Sequence, residues 1–216
     1  MIDSKYNEHL KKFKDIHKNK TAILFATGPS IKDYIPFDND EYIKIGSNRI
    51  YYYPKILKKL NYFFFGSQYY TDNQHRNDLD RICLSDENKF IKLSASYENG
   101  TPTGRGNITP EDSLRLGAHP FENNLLYFSN DVSKYSMLGH SIVFPSLQFI
   151  LYTGINKLYL VGCDGGFTHG INSGDSELLH WWTKFKEFKD EYYSNVEIIS
   201  INPNSLKGWF KDEVTK

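Results

Sequence analysis

The chain has 216 residues, 39% hydrophobic and 24% charged, and its 26 basic and 26 acidic side chains cancel to a formal net charge of zero. That composition belongs to a globular chain long enough to bury a sizeable core. The missing basic excess argues against a non-specific nucleic-acid binder, and no run approaches the ~20 apolar residues of a membrane span.

Residues 4–18 read as a short amphipathic helix, with Tyr6, Leu10, Phe13 and Ile16/His17 near helical spacing and lysines between them. This lysine-rich face leaves room for weak peripheral membrane contact, although a solvated face is the plainer reading. The N-terminus is too polar for a signal peptide, so a cytoplasmic location is expected. Short apolar runs predict strands over Thr21–Ala26, Tyr42–Gly46 and Tyr62–Phe65, then over 89–94 and 124–129. The segment 98–125 is rich in Gly, Pro and Asn and reads as a lid-like loop. "HSIVFPSLQFILYTG" reads as a buried helix, with Pro145 tolerated in its first turn and Gly154 closing it. "NKLYLVGCD" is the clearest strand. The helix in "GDSELLHWWTKFKEFKDEYY" would turn Leu178, Trp182, Phe185 and Phe188 inward. "VEIISINP" is the last strand expected. Strands alternating with helices predict an α/β fold: one Rossmann-like domain over 1–216, with a mostly parallel sheet and helices on both faces.

Most of these strands end alike. Thr27-Gly28-Pro29-Ser30, Gly46-Ser47-Asn48, Gly66-Ser67-Gln68, Gly162-Cys163-Asp164-Gly165-Gly166 and Asn202-Pro203-Asn204-Ser205 are all small or polar. Parallel sheets bind ligands outside the carboxyl ends of their strands, where glycine admits close approach and short polar side chains offer hydrogen bonds. Turns use the same residues, so one such end means little and five mean more. A helix starting near Ser141, just after His140, would present unpaired N–H groups to an anion. Asp164 could bind ribose, orient a base or hold Mg²⁺ through a substrate's phosphates. Cys83 and Cys163 fit neither a metal-ligand pattern nor a disulfide framework. The GxGxxG, P-loop, GxSxG and HExxH motifs are all missing.

Three segments, "AILFATGPSI", "HSIVFPSLQFILYTGINKLYLVGCD" and "IISINPNSLKG", together resemble the Rossmann-like bacterial glycosyltransferases that include the lipooligosaccharide sialyltransferases. The wider group takes in motility accessory factor glycosyltransferases and hydroxymethylpterin diphosphokinases. The resemblance implies a sialyltransferase-like enzyme with a CMP-sugar donor, a surface-glycan acceptor in lipooligosaccharide biosynthesis, inversion, no metal cofactor and a histidine base. It implies that Thr27, Gly28, Pro29 and Ser30 approach the nucleotide, with Asn48 near the donor phosphate and sugar. His140, Ser141 and Gly162 would join them, and Pro203, Asn204 and Ser205 would cradle the nucleotide. Ser67 and Gln68 fall where the family has an asparagine. Gly165 and Gly166 follow Asp164 where the family has phenylalanine and tyrosine, so the tyrosine that would steady the leaving phosphate is missing there.

Histidine suits the base because its ordinary pKa lies near neutrality. His169 follows the clearest strand, and His180 opens the next helix. His119 lies in the lid-like segment with Arg105, while His9 and His17 read as surface residues. Asp164 completes the catalytic candidates. Two other readings stay open: a Mg-dependent diphosphokinase or phosphotransferase, and a non-catalytic nucleotide- or glycan-binding module. Homo-oligomerisation is also open.

Overall fold

The computed structural model describes residues 8–34, 40–66, 73–83, 85–97, 114–118, 128–137, 141–165, 167–168, 171–172 and 176–215. Eight strands form the main sheet: β1 (Thr21–Phe25), β2 (Ile43–Ser47), β3 (Tyr62–Gly66), β4 (Ile91–Tyr97), β5 (Leu114–Ala118), β6 (Lys157–Val161), β9 (Glu197–Ile201) and β10 (Lys211–Glu213). Their spatial order is β10-β9-β6-β1-β2-β3-β4-β5, and every neighbouring pair runs parallel. A two-stranded ribbon, β7 (Phe167–Thr168) and β8 (Ile171–Asn172), follows β6.

Strand side chains alternate between two cores because successive residues point to opposite faces. From β1, Ala22 and Leu24 enter one core, and Ile23 and Phe25 the other. The four-residue run in β3 divides likewise: Tyr62 and Phe64 face one way, Phe63 and Phe65 the other. Such near-continuous apolar runs are what a parallel sheet covered on both faces requires. On the first face lie α3 (Val143–Tyr152) and α4 (Ser176–Tyr192). On the second lie α1 (Pro54–Leu57) and α2 (Asn73–Cys83).

All ten residues of α3 are buried. Its outer side meets α4, with the Phe144 and Trp182 rings 5.3 Å apart, edge to face. Phe128 fills the angle between the two helices, within 5.6 Å of both Phe144 and Phe185. Gln148 sits at 0% exposure in this apolar layer, yet all its hydrogen-bonding groups are used. Its Oε1 accepts from the N–H of Ser129 and of Met137, each at 2.9 Å. Its Nε2 donates to the carbonyls of Met137 at 2.7 Å and Phe144 at 3.0 Å. One amide thereby clips segment 128–137 onto α3.

The parallel sheet and two-sided helical cover match the sequence expectation; several details differ. The N-terminal helix is a 3-10 helix, Glu8–Phe13, which buries Leu10 and Phe13, and Ile16 is 46% exposed. His17 is half-buried rather than a surface residue, and its Nε2 hydrogen-bonds the Tyr62 hydroxyl at 2.7 Å. His9 is likewise half-buried. Burial, with Lys20 nearby, holds the His17 pKa below its ordinary value. Trp181 joins the inner stripe of α4, where Leu178 is only partly buried. Two edge strands were not expected. β5 forms inside the segment 98–125, the rest of which lies outside the described residues. β10 follows the strand read as last. Most of the strand read over 124–129 also falls outside the described residues. Among those residues no helix is long and apolar enough to cross a membrane.

Candidate functional site

β1 pairs with β2 on one side and with β6 on the other. The chain runs from β1 towards one edge of the sheet and returns at β6 to build the other, so a crevice opens between the carboxyl ends of these two strands. Ligands bind parallel sheets at such a switch point. The crevice is built from the turn after β1 and the turn after β6.

The backbones of the two turns touch. The Gly28 N–H donates to the Gly162 carbonyl at 2.8 Å, continuing the ladder begun by the Ala26 N–H and the Val161 carbonyl, also at 2.8 Å. Pro29–Asp33 then forms a 3-10 turn led by proline. The Ser30 N–H donates to Asp164 Oδ2 at 2.8 Å, a bond between residues 134 positions apart in the chain. The close fit explains the glycines. A Cβ on Gly28 would stand 2.4 Å from Asp164 Oδ2 and 2.6 Å from the Gly162 carbonyl oxygen. Gly162 leaves the sheet with φ of 68°, in the left-handed region that favours glycine.

Asp164 is 3% exposed. Its Oδ2 holds Ser30, while Oδ1 is buried with no hydrogen-bond partner among the described residues, as is the Ser30 hydroxyl. A buried polar group without a partner costs free energy, and in a crevice it is a point where a ligand group can bond. Burial pushes the Asp164 carboxyl above the ordinary carboxylate range, against the stabilising bond from the Ser30 N–H and with a further push from the Asp33 charge. Burial raises the neighbouring Cys163 thiol still more strongly, so it stays protonated.

The end of β9 joins this crevice through Asn202, which the motif reading passed over in favour of Pro203, Asn204 and Ser205. Asn202 has φ of 48°. Its Nδ2 donates to the Asp33 carbonyl at 3.0 Å and to Thr215 Oγ1 at 2.9 Å, and its Oδ1 accepts from the Thr215 N–H at 3.1 Å. One side chain therefore ties the turn after β1, the end of β9 and the C-terminal tail together. Asparagine tolerates the left-handed conformation, and Asn-Pro marked a turn; the three partners were not legible. Beyond it Pro203 and Ser205 are half-buried and Asn204 is exposed. Leu206 is fully buried, and its Cδ2 would lie 2.8 Å from a Cβ on Gly165. The turns after β1, β6 and β9 thus meet, through Ser30–Asp164, Asn202–Asp33 and Leu206 against Gly165.

Of the other candidates, Thr27 and Pro29 are half-buried on the rim of the crevice. Asn48 is half-buried with φ of 49°, and its Oδ1 accepts the Gly66 N–H at 3.2 Å, bracing the ends of β2 and β3. Ser141 caps the approach to α3, its Oγ accepting the Val143 N–H at 3.3 Å. The helix begins at Val143, two residues later than expected. His180 is exposed on the first half of α4, its ring edge-on to Trp181 at 5.6 Å. The preceding Leu179 lies against Gly165, 3.3 Å from the position of an added Cβ, which brings this part of α4 beside the turn that carries Asp164. Ser67, Gln68, Arg105, His119, His140 and His169 lie outside the described residues. Among the described residues no three of His, Cys, Asp and Glu come together as a metal site.

No family model and no curated protein matches the chain. Solved structures do. The sialyltransferase CstII from Campylobacter jejuni, in complex with the substrate analogue CMP-3FNeuAc, is similar over 89% of this chain and 84% of that one, with 16% identity and a TM-score of 0.53. The monofunctional alpha-2,3-sialyltransferase Cst-I from the same organism is similar over 84% and 75%, with 15% identity and a TM-score of 0.50. A CstII structure with cytidine-5'-monophosphate gives 16% identity over 90% and 85%, with a TM-score of 0.48. At these identities the likeness is one of fold.

Proposed function

We propose that the chain is a glycosyltransferase that seats a nucleotide-activated sugar in the crevice between β1 and β6. The observation that carries this reading is the buried Asp164 carboxylate, held to Ser30 by one oxygen and without a partner among the described residues on the other, at the switch point of the sheet. The fold supports it, since the CstII structure of the same fold holds CMP-3FNeuAc. The donor in this reading is CMP-linked sialic acid or a related nonulosonate, and the acceptor is a hydroxyl of a surface glycan.

Asp164 Oδ1 accepts a hydrogen bond from a nucleotide hydroxyl. As the acceptor oxygen bonds to the anomeric carbon, the bond from that carbon to the CMP phosphate breaks. His169 or His180 takes the acceptor proton, and CMP leaves with the bonding electron pair.

Incubation with CMP-, UDP- and GDP-sugars and measurement of nucleotide release tests the reaction. Release from the CMP-sugar alone, undiminished by EDTA, is expected. No release from any donor, with no thermal shift from any nucleotide, would sink the reading, and Mg-dependent ATP binding would point to a phosphotransferase instead.

Asp164→Asn separates binding from stability. Burial raises the Asp164 pKa in the folded chain. Its contribution to stability is therefore complete below the unfolded-state pKa and is lost as pH rises through the folded-state value. Asparagine keeps an acceptor for the Ser30 N–H and does not titrate. The variant is expected to bind CMP more weakly, while its Tm advantage over the unaltered chain grows from pH 4 to pH 8. A gap that stays flat across this range would contradict the assignment.

A further inference from the structure

The second half of α4 and the beginnings of β9 and β10 enclose a cleft of about 390 Å³ that the proposed reaction does not use. This volume falls among those of small-ligand sites. The cleft lies at the opposite end of β9 from the crevice. Glu197 opens that strand on the cleft side, and Asn202 follows its far end, about 16–17 Å away at the rise of an extended chain.

Two carboxylates on its walls are each shared by two lysines. Asp190 lies 2.8 Å from Lys186 Nζ and 3.3 Å from Lys189 Nζ. Glu197 lies 3.0 Å from Lys211 Nζ and 3.3 Å from Lys157 Nζ. Lys186, Lys189 and Lys211 line the cleft beside Asp190 and Glu197 and leave an excess of one positive charge there, in a chain that is neutral overall. The Lys186–Asp190 and Lys211–Glu197 pairs are exposed and of a kind worth only about 0–1 kcal/mol, so an incoming anion can recruit these two lysines at little cost. Trp209 and Phe210 line the same cleft. The Phe210 ring lies 6.2 Å from Trp182 and 6.4 Å from Phe185, which anchors this wall to the core.

The combination selects a ligand with an apolar face, several hydroxyls and a negative charge. A sugar ring supplies the first two, packing its C–H face on an aromatic ring and turning its hydroxyls to the polar rim. A carboxylate on that sugar meets the lysines. An apolar peptide would strand the charges, and a nucleic-acid strand needs a longer basic track than this cleft offers.

We infer that this cleft is a second saccharide site, which holds a carboxylate-bearing sugar of a glycan away from the reaction crevice. Calorimetric titration at low salt with a sialylated trisaccharide, with its neutral lactose core and with inorganic phosphate tests it. The trisaccharide is expected to bind at least about tenfold more tightly than lactose or phosphate. Saturating CMP should leave that binding unchanged. The combined substitutions Lys186→Gln and Lys211→Gln should weaken it about tenfold without lowering Tm appreciably, since these side chains are 45% and 61% exposed. Lys211→Gln alone should weaken it less, about threefold. Trisaccharide binding that CMP abolishes, that the lysine variants retain in full or that lactose equals would overturn the inference, as would no binding. Nucleotide release reads the crevice and this titration reads the cleft, so each can fail while the other stands.

Discussion

Gly162→Ala is expected to cost about 3–5 kcal/mol of stability and to abolish nucleotide binding in whatever remains folded. Two effects add. Gly162 holds φ of 68°, where an L side chain is strained by about 1–3 kcal/mol. An added Cβ would also stand 2.4 Å from the Ala26 carbonyl oxygen and 3.0 Å from its carbon. Those are backbone atoms of the neighbouring strand end, so no side-chain rotation relieves the clash. Relief requires β1 and β6 to part where the Gly28 N–H reaches the Gly162 carbonyl, and that parting pulls Ser30 from Asp164. Gly208→Ala is the control. Its φ is 78°, yet an added Cβ meets nothing within 4 Å, so it should lose only the conformational part and leave nucleotide binding intact. Urea midpoints for both variants check this; equal losses would show that the contact with Ala26 contributes nothing.

The second large effect is expected at Gln148. Leucine there has similar bulk and enters a wholly buried helix, which on hydrophobicity alone would be harmless. It would leave the N–H groups of Ser129 and Met137 and the Met137 carbonyl buried without their partner. At about 1–3 kcal/mol for each stranded group, and with some relaxation, Gln148→Leu should cost about 3–5 kcal/mol. Gln148→Glu tests the donor side, because a carboxylate cannot donate to the Met137 and Phe144 carbonyls and brings a charge into the core. It should be destabilised at neutral pH and partly recover as acid protonates it. A leucine variant as stable as the parent chain would show that segment 128–137 is not held by this amide.

The two unforeseen edge strands show what periodicity can and cannot report. The three residues of β10 are all exposed, so their pairing with β9 is made by backbone alone and leaves no apolar pattern. β5 lies within a segment whose Gly, Pro and Asn content dominated its reading, and its paired residues in β4 are 21 positions upstream. Where burial drove the structure, as in "YFFF" and "LYLV", the apolar run was visible and the strand bounds agreed closely.

The sequence by itself determined the parallel, two-sided sheet, because apolar runs separated by amphipathic segments can bury themselves in few other ways. It also marked the strand ends as turns, since Gly162, Asn48 and Asn202 are residue types that tolerate positive φ. Only the tertiary structure decided which of those ends meet. Asp164 finds Ser30 across 134 positions, and Asn202 finds Asp33 across 169. Local sequence records the burial and backbone preference of each residue, whereas a hydrogen bond between distant turns depends on strand order and on how closely two backbones approach. That is why Asp164 was legible as a candidate while its bond to Ser30 was not.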